Sequence, residues 1–451
     1  MSLLRWTGNP FVDSGISAIL VFSNKDSPKD IYRSDLLRIK DLLLNLYVKE
    51  KWIKILNVVF TSNAHVTHNS AKTAEKKKER LSCYLESLLE VITELSSDGD
   101  CIACGSRNTL ARKNRTTIPL TGYGHSHFFP SLAAGADYCN LCAFAVQCSP
   151  LVLYNCGPKL ALLHSNNEKV LKIWATRSYL QIQKQIARDE YDGCFNEGYK
   201  NPENALFHIA QDLILNYKER WSEQNVTLRL YHFTNFTQLP SHPLEIFDLP
   251  TNVFHFLSEI RTHPNYKDWL KIVKRGYYKI ENKSQDEYRN YKNEVYKRLL
   301  HSQVILSYFF DSSKKLVLCN WSLVTLYLKE IIFMQNERIE AIKSFADRIV
   351  VMLKNNSNGK KRLTQLEQAK NYASFRNVLL RLVHDNLVSK SEIPLISFND
   401  FVENLFPEGA LGWKETQDLV LFRLYEQLHS WLIQEGLITE EPEEEILIEN
   451  N

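Results

Sequence analysis

Two Cys-x-x-Cys motifs, Cys101-Ile102-Ala103-Cys104 and Cys139-Asn140-Leu141-Cys142, constrain this chain more than any other feature. Each such turn presents two sulfurs to one ion, and two of them supply the tetrahedral thiolate set of a structural zinc site. The 34 residues between the pairs exceed the spacing of a compact zinc ribbon, so a metal here would close the ends of a subdomain. The competing readings are a redox dithiol and four buried cysteines. A thioredoxin-like dithiol needs only one such motif, at a strand-to-helix junction in a βαβ pattern, and that pattern is missing around both pairs. Four sulfurs leave no open position for water, which argues for structural rather than catalytic zinc. His125 and His127 are the only plausible substitute ligands nearby.

A chain of 451 residues is long enough for a large core and two or three domains. Its 44% hydrophobic and 24% charged residues are those of an ordinary soluble globular protein. No apolar run reaches the length of a membrane span, and Met1-Ser2-Leu3-Leu4-Arg5-Trp6 leads into Thr-Gly-Asn-Pro rather than a signal-peptide core. An intracellular protein without a membrane partner is expected. Nine cysteines, four of them assigned to metal, fit a reducing compartment better than a disulfide scaffold. The other five, at 83, 148, 156, 194 and 319, read as buried small hydrophobes.

The net charge of +3 hides an asymmetry. Residues 334–451 carry 13 Lys and Arg against 19 Asp and Glu, which leaves 42 against 33 in the first 333. That basic excess is compatible with a polyanionic partner. The acidic surplus gathers in Glu440-Glu441-Pro442-Glu443-Glu444-Glu445, a solvated tail.

The expected fold is α+β. A mixed N-terminal body over 1–97 and 146–321 carries an inserted four-cysteine zinc subdomain over 98–145. A helical bundle over 322–439 and the acidic tail over 440–451 follow. The apolar run Ile16–Phe22 forms one element, and apolar spacing over 31–48 and 72–95 predicts helices. In the second of these, Lys72, Lys76, Lys77, Lys78 and Arg80 form a basic face that reads first as a solvated surface. Ile53–Phe60 reads as a buried strand, as do stretches near 151–163 and 170–174, whereas 177–222 is mainly helical. Val226–Phe233 alternates with period two, and Leu244–Pro250 reads as its partner strand. Helices return over 251–310 and then at 323–354, 362–388, 397–405 and 414–436.

Between the cysteine pairs lie Arg107, Arg112, Lys113, Asn114 and Arg115, followed by the aromatic stretch Gly122-Tyr123-Gly124-His125-Ser126-His127-Phe128-Phe129, with only Asp137 opposing the charge. Arginines on a metal-closed loop suit an element that grips a nucleic-acid backbone. Lys271, Lys274, Arg275, Tyr277, Tyr278 and Lys279 mix cations and rings as single-strand binding does, and equally as the end of an ordinary amphipathic helix does. No phosphate-binding GxxxxGK[ST] loop, GxGxxG fingerprint, GxSxG elbow or HExxH occurs. His384-Asp385 is a lone doublet without further metal-ligating residues spaced to meet it. A binding subunit rather than an enzyme is expected.

Trp6-Thr7-Gly8-Asn9-Pro10-Phe11-Val12-Asp13, the two cysteine pairs, and Tyr231-His232-Phe233-Thr234-Asn235 before a second strand together resemble the CXXC-CXXC large subunits of type I-B CRISPR surveillance complexes (Cascade). The resemblance implies a non-catalytic subunit in the prokaryotic cytoplasm, seated at the 5′-handle end of the crRNA. Its implied partners are backbone and handle-capping Cascade subunits, small helical subunits, double-stranded target DNA with its displaced strand, and a helicase-nuclease. It implies a share in inspecting the protospacer-adjacent motif and in supporting strand separation, while base pairing reads the long sequence. Only the zinc cysteines carry over residue by residue. Asn235 is a candidate for base-edge contact or a turn residue bonding backbone, with Arg112, Lys113 and Arg115 gripping the backbone. In related systems a small subunit arises by internal translation, and Met334 would start a 118-residue helical product; its alternative is a core residue in a long helix. The main competing function is a zinc-stapled adaptor that binds protein and no nucleic acid.

Overall fold

In the computed structural model the described residues are 3–61, 65, 73–90, 100–106, 109–113, 116–121, 135–216, 225–235, 244–277, 287, 290–388 and 393–438. The chain forms two compact units, Met1–Thr251 with Ile280–Lys292, and Asn252–Lys279 with Asn293–Asn451. Helices and small antiparallel sheets make up the first and helices dominate the second, the α+β organisation read from the sequence. The expected bundle region lies inside the second unit, which also takes in the helices from 252 onward. No helix among the described residues is long and apolar enough to cross a membrane.

The first unit is built around α1 (Pro10–Phe22), in which every residue from Phe11 to Leu20 is buried. Asn9 caps it by accepting from the Phe11 and Val12 amides, and Pro10 supplies a preset first helical position. Next come α2 (Arg33–Leu46), α3 (Glu50–Val59) and α4 (Ala74–Leu89). The strand expected over Ile53–Phe60 is therefore a helix. Trp52, Leu56 and Val59 point inward at helical spacing, a period that a short apolar run alone does not reveal.

A hairpin of β1 (Thr109–Lys113) and β2 (Ala136–Cys139) leads into α5 (Asn140–Cys148). The main sheet is antiparallel in the order β3 (Tyr154–Cys156), β4 (Lys159–Ser165), β5 (Leu228–Phe233), β6 (Leu244–Leu249). Its last two strands are those read from the alternating pattern, in the register Arg229↔Asp248 and His232↔Glu245. Between β4 and β5 run α6 (Glu168–Arg188) and α7 (Pro202–Asn216). The strand expected near 170–174 is instead the start of α6. Asn167 caps that helix through Lys169 N at 2.9 Å, and Val170, Leu171, Trp174 and Ala175 form its buried stripe.

The second unit contains α8 (Thr251–Thr262), α9 (Tyr266–Arg275), α10 (Glu294–Leu300), a short β7–β8 hairpin (Phe310–Asp311 and Leu316–Val317) and α11 (Trp321–Glu330). It continues with α12 (Asn336–Asn355), α13 (Gly359–Glu367), α14 (Tyr372–Val388), a π-helical turn (Asp400–Leu405) and α15 (Trp413–Gln434). The single helix expected over 323–354 is split. Phe333 takes a left-handed φ of 56°, and Met334 N bonds back to Leu328 O at 2.9 Å. The stretch 362–388 also divides, at 368–371. Ion pairs cross between helices: Arg423 grips Asp347 through Nε and Nη2 at 2.7 and 3.1 Å, and Arg338 meets Glu415 at 3.0 Å.

Candidate metal centre

The first cysteine pair sits on a tight turn. Cys101 O accepts from Gly105 N at 2.7 Å and Cys101 N donates to Ser106 O at 2.8 Å. Gly105 closes the turn at φ +69°, a left-handed conformation that glycine adopts without steric penalty. Ile102 N donates to Asp137 O at 2.9 Å, which ties this turn to β2. The second pair begins where β2 ends: Cys139 caps α5, its Sγ accepting from Cys142 N at 3.4 Å. Two sulfurs thus lie at a helix N-terminus.

The four Sγ atoms all lie within 4.8 Å of one another, and Cys104 Sγ is 3.7 Å from Cys139 Sγ. A Zn–S bond of about 2.3 Å places tetrahedral sulfurs about 3.8 Å apart, so the cluster is compatible with zinc. Cys101, Cys139 and Cys142 are buried, and Cys104 is partly open. Hydrogen bonds from Cys104, Cys139 and Cys142 hold the Cys101 thiol far below its usual range. Hydrogen bonds to Cys101, then to Cys104 and Cys139, push Cys142 up. Four sulfurs this close cannot all ionise unaided, and a divalent cation removes that conflict.

The N-terminal segment braces the cluster. The Arg5 guanidinium donates to Cys104 O. Asn9 Nδ2 donates to Tyr138 OH at 3.0 Å, beside Cys139, and burial pushes that phenol up to about 12. A Cβ built on Gly15 would stand 1.7 Å from Ala145 O, so α1 and α5 touch backbone to backbone at a place only glycine allows. Asn140 Nδ2 reaches Ser87 O of α4 at 3.0 Å, and Gln147 Nε2 reaches Thr117 O at 2.7 Å. The Asn-Pro pair at 9–10, a capping residue before a first-turn proline, is the sequence signal that α1 starts here; its link to the cysteines is a tertiary contact.

Residues 94–154 match a family described as CRISPR-associated protein (Cas_CXXC_CXXC). The matched span holds both cysteine pairs, β1, β2 and α5. It supports a CRISPR-associated CXXC-CXXC protein and a role in CRISPR defence. No curated protein and no solved structure matches the chain.

The CXXC-CXXC hairpin gathers some of the expected residues and leaves others elsewhere. Arg112 and Lys113 lie on β1, opposite Asp137 and Ala136 of the strand that ends at Cys139. Arg107, Asn114, Arg115, the 122–129 stretch with His125 and His127, Lys72, residues 236–243, Tyr278, Lys279 and the acidic tail are outside the described residues. Asn235 is only 7% exposed. Its Nδ2 donates to Val59 O at 2.9 Å, its backbone N donates to Val58 O at 3.0 Å, and its carbonyl accepts from Thr61 Oγ1 at 2.8 Å. A base-reading side chain needs a free amide edge, and this amide is engaged with the end of α3.

In the second unit, Lys271 pairs with Asp268 at 3.0 Å, and Arg275 donates to Phe310 O at 2.5 Å. Lys274 is exposed in the last turn of α9. Met334 is buried in the turn between α11 and α12 rather than inside a long helix. The Asp385 carboxylate is held by Arg362 at 2.6 and 3.0 Å, which keeps it below the usual carboxylate range, while His384 is largely exposed.

Proposed function

We propose that this chain is the non-catalytic large subunit of a type I-B CRISPR surveillance complex in the prokaryotic cytoplasm. The observation that carries the reading is the four-sulfur cluster inside the matched CRISPR-associated segment, with Arg112 and Lys113 on the strand paired to its second cysteine turn. The metal is zinc, and its work is architectural: it holds both ends of a basic insert. Arg112 and Lys113, with Arg115 just beyond, grip the phosphate backbone of double-stranded target DNA. Lys274 adds an exposed cation in the second unit. The crRNA, the handle-capping and backbone subunits, the small helical subunits and the helicase-nuclease are the partners. The subunit helps to inspect the protospacer-adjacent motif and to stabilise the displaced strand.

Co-expression with the genomic neighbours tests the assembly: a short guide RNA should co-purify with the chain. Duplex affinity measured against salt tests the grip on phosphate. Replacing Arg112 and Lys113 by alanine should lower the log–log salt slope by about 0.9 for each phosphate no longer neutralised. A chain that binds protein neighbours but no nucleic acid at low salt would be the zinc-stapled adaptor instead. Met334 precedes α12 by two residues, so translation from it would begin between helices and keep α12 to α15 whole. Recoding Met334 should abolish the short product in mass spectra of the complex.

A further inference from the structure

The first unit also holds a recess, on residues the metal centre does not use. It encloses about 570 Å³, within the size range of small-molecule sites. Trp6, Leu171, Leu228, Leu249 and Pro250 supply apolar wall, and Asp13, His164, Arg229 and Asp248 are among its polar groups. The segment whose Asn9 braces the cysteine cluster therefore lines this recess with Trp6, Gly8 and Asp13.

The polar groups narrow the class of ligand. Asp13 accepts from Thr7 N, Thr7 Oγ1 and Gly8 N, each at 2.8 Å, and His164 Nε2 stands 3.5 Å from its Oδ2. Arg229 is paired across the strands with Asp248, Nη2 to Oδ2 at 2.8 Å. Glu168, a third carboxylate in the lining, is exposed at the start of α6. One guanidinium already committed to a carboxylate, with two more carboxylates present, repels a phosphate, which seeks uncommitted arginines or amides. An indole wall beside mixed donors and acceptors suits an uncharged planar heterocycle, stacked on a ring and hydrogen-bonded along its edge.

We infer that this recess receives a single unpaired nucleobase and leaves the phosphate of that nucleotide outside. The choice of a nucleobase over other neutral heterocycles rests on the nucleic-acid reading above. Calorimetric titration of the full-length chain with the four ribonucleosides and their 5′-monophosphates tests it. At least one nucleoside should bind with a Kd below ~1 mM, and its monophosphate should bind no more tightly, since the carboxylates of Asp13, Glu168 and Asp248 line the recess. Trp6→Ala should weaken that binding by about fivefold or more, the loss of one stacked ring. His164→Ala, which removes a ring donor and acceptor from the lining, should weaken it too, and guards against a Trp6 variant that fails to fold. Binding of no nucleoside, a monophosphate that binds about tenfold more tightly than its nucleoside, or unchanged affinity in both variants would overturn the inference. Nucleoside binding without any duplex binding would uphold the recess and remove the larger functional reading. Duplex binding without nucleoside binding would do the reverse.

Discussion

Asn235 shows what a single side chain can conceal. Its partner Val59 stands 176 positions earlier, so nothing local distinguishes its amide from one free to meet a base. Asn235→Ala should cost about 1–3 kcal/mol of stability, the range for one member of a buried hydrogen bond, measured by urea unfolding; no loss of stability would mean that this hydrogen bond is dispensable. The four cysteines are the opposite case. Metal ligation demands one residue type at a set spacing, which a sequence displays directly. Gly15 lies between these extremes, since a glycine in a buried helix hints at close approach without naming the neighbour. Gly15→Ala should destabilise the first unit by about 1–3 kcal/mol or more, because the new methyl meets the Ala145 backbone rather than a flexible chain. The same variant should hold its metal more weakly in chelator competition, since α5 carries Cys142.

Elements were legible where their periodicity was unambiguous. The β5–β6 pair alternates inward and outward residues, and its register follows the pattern. Ile53–Phe60 and 170–174 are short apolar runs in which strand and helix place the same residue types, and only the partners on three sides select the helix. The split at 331–335 was invisible for another reason: Phe333 adopts its left-handed φ without a glycine or proline to announce it. Burial within an element also carries electrostatic cost. Asp418, in α15, has its carboxyl raised by burial, against the lowering effect of Lys414 2.8 Å away. A raised carboxyl contributes stability that is full below the ordinary value of 3.8 and lost as pH rises through the folded value. At neutral pH it is therefore a burden. Asp418→Asn should raise the melting temperature at pH 7, and the advantage over wild type should shrink on acidification. A constant difference at every pH would show that burial of this carboxyl is not the cause.

At the scale of the whole molecule, the two units differ in what they depend on. The second has its own apolar core along α11, α12 and α15, with Leu323, Ile342, Ile349, Leu419 and Leu428 fully buried. The first ends its hairpin on sulfur, where a bound zinc can contribute on the order of 10 kcal/mol to local folding. Cys101→Ser should release the metal and reduce duplex affinity while most of the helical circular dichroism persists. Full affinity in a metal-free chain would contradict the architectural role.

Helix α1 carries a consequence for how the chain is made. It is buried along ten consecutive residues, yet Tyr138, which holds its capping Asn9, lies 129 positions later, and His164, beside its Asp13, lies 151 positions later. At about 5–20 residues per second, a ribosome needs about 6–30 s to deliver those partners. During that interval the helix is exposed with its apolar surface uncovered, a ready target for holding chaperones and for neighbouring nascent chains. Pausing between the first helix and the cysteine hairpin would lengthen that vulnerable window, so codon choice over this stretch bears directly on the yield of folded protein.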